Sequence, residues 1–138
     1  MSLERDAMIK EIKGKVVPVL RNKGFKGRYP HFRRFTEERI DLLSVVFDKW
    51  GGGFYVELGS APLEGITYPD GTSRGPNEVS PSDAIPNMRL GAKSEHGDYW
   101  FRYDRQPLRE DIYEYLAETV LSLLPQAEKW WDSKKESL

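Results

Sequence analysis

No cysteine occurs anywhere in this sequence. That absence excludes a disulfide framework, thiolate metal sites and a cysteine nucleophile, and it fits a reducing compartment. Histidine is nearly as scarce, with only His31 and His96. A hydrolytic triad or an imidazole metal centre needs a histidine with suitable neighbours. His31 instead sits among Phe32, Arg33 and Arg34, and His96 falls in an expected turn. No apolar run approaches the roughly 18 residues of a membrane helix, and MSLERDAMIK is charged where a signal peptide would be apolar. Neither sign of charge dominates, with 21 basic against 22 acidic residues. The chain as a whole therefore offers no field that would draw it to nucleic acid or to an anionic membrane. No internal repeat is visible. These absences lead to the expectation of a cytoplasmic protein with no membrane, nucleic acid, metal or cofactor to bind.

What is present is a foldable pattern. At 138 residues the chain reads as a single domain, residues 1–138, large enough to bury a core without a staple. Its most hydrophobic stretch is RIDLLSVVFDKWGGGFYVELGS, from Arg39 to Ser60, which reads as a β-hairpin turned at Gly51-Gly52-Gly53. The glycines lead into Phe54 and a strand, not into the Lys-Ser/Thr and helix of a phosphate loop. Pairing Lys49 with Phe54 across a tight turn puts Leu43, Val45, Phe47, Phe54, Val56 and Leu58 on one face. Leu42, Ser44, Val46, Asp48, Tyr55 and Glu57 then share the other.

The flanking elements follow from period and punctuation. Residues 4–23 have Ile9, Ile12, Val16 and Leu20 at helical spacing, with Met8 beside them. Ser2 or Asp6 is placed to cap the start, and Lys23-Gly24-Phe25 to stop the helix. Gly14 and Pro18 predict a kinked but continuous helix, because Pro18 would collide with the carbonyl of a glycine, the most permissive residue. A short strand is expected at His31–Phe35, with a turn at Thr36–Arg39. Residues 61–86, with prolines at 62, 69, 76, 81 and 86, form a long loop of the binding, lid or mobile kind. Strands follow at Asn87–Ala92 and Tyr99–Tyr103. A helix then starts at Pro107 with the stripe Leu108, Ile112, Leu116, Val120 and Leu123/Leu124, and Pro125 ends or kinks it. Ala127–Lys135 is a further helical segment carrying Trp130 and Trp131, and 133–138 reads as a frayed tail. The sum is α+β: an antiparallel sheet of about five strands with N- and C-terminal helices packed on one face.

Three blocks carry a resemblance. They are Leu20-Arg21-Asn22-Lys23-Gly24-Phe25, Gly53-Phe54-Tyr55-Val56-Glu57-Leu58-Gly59, and Met88-Arg89-Leu90-Gly91 ahead of Tyr99-Trp100-Phe101. In this order and spacing the chain resembles a bacterial domain-of-unknown-function family, number forty-three-oh-four. Where the family pattern carries a Gln-Lys pair, this chain has Asp48-Lys49. The resemblance implies a small α+β domain with no known activity. Some families of this general kind act as immunity or interaction modules beside bacterial toxins.

No catalytic constellation stands out, so no catalytic residue is assigned and the chain is read as leaning away from an enzyme. The expected function is a non-catalytic protein-binding module, of an immunity-like or toxin-accessory kind. It would use the open sheet face: Asp48, Tyr55, Glu57, Arg89, Trp100 and Arg102. The alternative is a small hydrolytic enzyme with Asp48 and Glu57 as paired carboxylates and the long loop as a lid. A third reading takes Arg28, Arg33 and Arg34 with Tyr29, Phe32 and Phe35 as a single-strand nucleic-acid grip, against which stands the neutral total charge.

Overall fold

The computed structural model describes residues 2–84, 86–105 and 109–136. The chain opens with α1 (Leu3–Glu11), a π-helical stretch (Ile12–Val16) and α2 (Val17–Asn22), which run on as one helix. Ser2 caps it, its hydroxyl accepting from the Arg5 amide at 3.0 Å. The π-helical turns answer a mismatch in the sequence. The buried residues are Met8, Ile12, Val16 and Leu20, a strict period of four. On an α-helix of 3.6 residues per turn, that series drifts by about a third of a turn over its length. Wider turns around Gly14 keep all four aimed at the core. Gly24 ends the helix, with the Phe25 amide closing back on the Leu20 carbonyl at 3.0 Å.

Eight strands follow. They are β1 (Lys26–Arg28), β2 (His31–Phe35), β3 (Ile40–Phe47), β4 (Gly53–Ala61), β5 (Ile66–Thr67), β6 (Ser73–Arg74), β7 (Asn87–Arg89) and β8 (Phe101–Arg102). The main sheet is antiparallel in the order β1-β2-β3-β4-β7, with β8 also on β4. The far edge of β4 is thus shared lengthwise: β7 takes Glu57–Gly59 and β8 takes Gly53–Phe54. β5 and β6 form a separate ribbon within the long loop.

The hairpin register differs from the expected one by two residues. Phe47 pairs with Phe54, Val45 with Val56 and Leu43 with Leu58. The turn is longer than a tight glycine turn. The Asp48 amide donates to the Gly53 carbonyl, and the Gly51 amide returns to the Asp48 carbonyl. The Asp48 side chain also accepts from the Trp50 amide at 2.9 Å. Gly51 and Gly52 both take positive φ, at 90° and 86°. A shift of two preserves which residues share a face, so the division into faces stands as expected.

The core lies between one sheet face and the helices. Leu43, Val45, Phe54, Val56 and Leu58 meet the four residues of the first helix and Leu116, Val120, Leu124 and Trp131 of α3 (Ile112–Glu136). The last helix departs from expectation in three ways. It starts at Ile112; Pro107 and Leu108 lie outside the described residues. It runs through Pro125 without ending, because that residue sits on the exposed side, where the lost backbone bond faces water. And residues 133–136 are helical rather than frayed, with Lys134 bound to Glu95 at 2.8 Å and Lys135 near Asp41 at 3.6 Å. Trp130 and Trp131 belong to this core, not to the opposite face. Trp131 donates its indole N–H to the Gly59 carbonyl at 3.0 Å, and Trp130 donates to Glu95 at 2.9 Å.

A charged knot joins sheet to helix on the same side. Arg34 binds Asp41 at 2.9 Å and Glu128 at 2.6 Å, while stacking over Phe25 and Trp131. Asp41 is fully buried.

Candidate functional site

The sheet face away from the helices is built by the alternate residues of the same strands. One end of it is covered. The loop after β4 folds back so that Val79 and Ala84 bury Ile40, Leu42 and Ala61 in a second small core, with Ile66 packed on it. Pro81 lies directly on Gly59, so close that an added Cβ would stand 2.8 Å from the Pro81 Cα. Arg33 donates to the Pro76 carbonyl at 2.6 Å, and Asn87 to that of Ala84 at 2.9 Å. The long loop is therefore docked on the sheet, and it divides the face into a covered half and an open half.

The open half brings together the six residues expected there. Tyr55 and Trp100 meet edge to face with ring centroids 5.1 Å apart. The Arg89 guanidinium lies 3.8 Å over the Tyr55 ring and 5.4 Å from that of Trp100, with Asp98 at 3.1 Å on its other side. Arg102 sits 5.8 Å from the Trp100 ring. It binds Asp48 at 3.2 Å and Asp104 at 2.6 Å, and both carboxylates raise its pKa. Glu57 takes the ladder position opposite Arg89. Burial pushes its carboxyl above the ordinary value, and the Arg89 charge pulls the other way without cancelling the shift.

A second polar row crosses this face and was not foreseen. His31, Ser44, Glu57 and Arg89 stand side by side on β2, β3, β4 and β7. His31 Nδ1 and Ser44 Oγ are 2.7 Å apart. The signal for this pair was in the sequence. The Thr36–Arg39 turn closes with the Thr36 amide on the Arg39 carbonyl, and counting outward from it pairs His31 with Ser44. The pair is not a nucleophile and its base. Ser44 is only 3% exposed, in mid-strand, so its hydroxyl is covered by protein.

The paired-carboxylate arrangement also lacks its geometry. Asp48 closes the hairpin opposite Gly53, whereas Glu57 pairs with Ser44, four residues further along the strand. Four residues of strand span about 13 Å. Glycosidase carboxylates stand about 5–9.5 Å apart. Asp48 is held by Arg102 and lines a concavity of about 610 Å³ with Arg5, Asp6, Ile9 and Trp50; Glu57 is not among its lining residues. Among the described residues no three His, Asp or Glu side chains converge as metal ligands would. No described helix is long and apolar enough to cross a membrane.

Comparison with family models places this architecture. The model described as Domain of unknown function (DUF4304) matches residues 16–137. The chain belongs to this family. The matched span takes in the sheet, the docked loop and all of α3, so the open face is part of the DUF4304 domain itself. Neither the comparison with curated proteins nor that with solved structures returned a match.

Proposed function

We propose that this DUF4304 chain is a non-catalytic protein-binding module of the bacterial cytoplasm, and that its contact surface is the open half of the sheet face. The observation that carries this reading is the array Arg102–Trp100–Arg89–Tyr55. Arginine, tryptophan and tyrosine dominate binding hot spots. Here both guanidinium groups are already stacked on rings and held by carboxylates, and all four side chains are partly exposed. Side chains fixed before contact lose little entropy on binding, which favours association. An immunity-like or toxin-accessory role is the form of this reading that the family resemblance supplies.

The test uses the intact chain as bait in lysate of its native host, with cross-links mapped to residues. A partner that cross-links near Trp100, and whose affinity falls about thirtyfold or more with Trp100→Ala, supports the reading, since a central tryptophan is worth about 2 kcal/mol or more. Trp50→Ala, at the far tip of the hairpin and 86% exposed, serves as the control. A partner retained equally by both variants would overturn the assignment of the face.

A further inference from the structure

The hairpin β1–β2 carries a feature that the open-face reading leaves unused. A concavity of about 390 Å³ is lined by Lys26, Arg28, His31 and Arg33, together with Tyr29 and Phe35. No carboxylate lines it. Register makes the arrangement costly: Lys26 stands directly opposite Arg33, with Arg28 next along on the same face. Like charges directly across a ladder are destabilising. Elsewhere the fold neutralises such groups, as it does Arg34, Arg89 and Arg102 with carboxylates. Lys26 and Arg28 are exposed and take part in no ion pair among the described residues. Arg33 is held in place through the Pro76 carbonyl, with its charge intact and partly desolvated.

We infer that this concavity binds a short stretch of single-stranded nucleic acid, with Lys26, Arg28 and Arg33 on phosphates and Phe35 beneath a base. The ligand must be anionic to relieve the Lys26–Arg33 pair and to answer Arg28, unpaired among the described residues. Phe35 decides its class. This ring is 44% exposed at the rim of the concavity, where an acidic peptide would leave it idle and a nucleotide would stack on it. The near-neutral charge of the whole chain argued against nucleic acid, but phosphate contacts are made by the local set of cations, not by the total. The volume suits one or two nucleotides rather than a long track.

The experiment is fluorescence anisotropy with a labelled oligothymidylate of about twelve nucleotides. Three phosphate contacts predict a salt slope near −2, so affinity falls about eighteenfold between about 50 and 200 mM salt. Arg28→Ser should lower that slope by about 0.7. Phe35→Ser should weaken binding about fivefold or more with the slope unchanged. Lys129→Ser, an exposed cation on α3, and Trp100→Ala should change neither, which separates this site from the open face. Circular dichroism of each variant confirms that it is folded. Absence of binding at about 50 mM salt, or a slope that Arg28→Ser leaves intact, overturns the inference. So does an oligoglutamate peptide that competes as strongly as unlabelled oligonucleotide.

Discussion

Replacing Arg34 with methionine strands the charge of Asp41. Asp41 is fully buried, and one of its carboxylate oxygens, Oδ1, has no hydrogen-bond partner among the described residues. The other receives Arg34 at 2.9 Å, with Lys135 more distant at 3.6 Å. Removing one partner of a buried pair costs about 3–5 kcal/mol, because the remaining charge keeps its desolvation penalty. For a chain of this size each kcal/mol moves Tm by about 3–4 °C, so Arg34→Met should melt roughly 10–20 °C below the parent. Methionine retains much of the packing against Phe25 and Trp131, which makes charge the main quantity removed. The decisive comparison is Arg34→Met/Asp41→Asn. If the stranded charge is the cause, neutralising it makes the double variant more stable than Arg34→Met alone. The pH dependence gives an independent reading. Burial already raises the Asp41 carboxyl above its ordinary 3.8, against the pull of Arg34 and Lys135 and with a smaller push from Glu128. A raised folded value means that the folded state holds the proton more tightly. The contribution is therefore complete below about pH 4 and is lost as pH rises through the folded value. Without Arg34 this loss should deepen and extend to higher pH. Urea titrations across that range measure it. A single variant that costs less than about 1 kcal/mol, or a double variant no more stable than the single, would refute the reasoning.

Two further outcomes follow from the sheet. Gly59→Val should lift the docked loop, since any side chain there meets Pro81; about 1–3 kcal/mol of stability should be lost, with hydrogen exchange rising across residues 79–84. Glu57→Gln should flatten the stability profile just above pH 4.5, because a carboxyl raised by burial contributes stability that is lost as pH rises through its folded value.

Alternation made the two sheet faces legible, because a period of two survives any even error in register. The two-residue error came from the turn. Asp48 and Trp50 shape it as much as the glycines do, and a side-chain bond to a backbone amide leaves no periodic trace. β1 went unread since Lys26-Gly27-Arg28 has no apolar residue; pairing with β2 alone makes it a strand. That the helix runs on through Pro125 was not legible, because the cost of a proline depends on whether its side of the helix faces water, which is a property of packing. The six residues of the open face were legible as a set, but the closure of the other half was not. The loop is held by single apolar residues, Val79 and Ala84, far apart in pattern and meaningful only against Ile40 and Leu42.

The π-helical stretch near Gly14 reconciles two counts, residues along the chain and turns around the axis. An α-helix advances about 100° per residue, so removing one residue there would leave a regular helix whose first half is rotated by about that angle. Met8 would leave the core, and Arg5 would swing away from the Phe47 ring that it now covers at 5.1 Å. Ser2, which borders the concavity of about 610 Å³ beside Trp50, would turn with them. The surface around the hairpin tip is thus phased from the middle of the helix, by residues 12–16 that do not line it, and a single-residue deletion far from Trp50 would rebuild it.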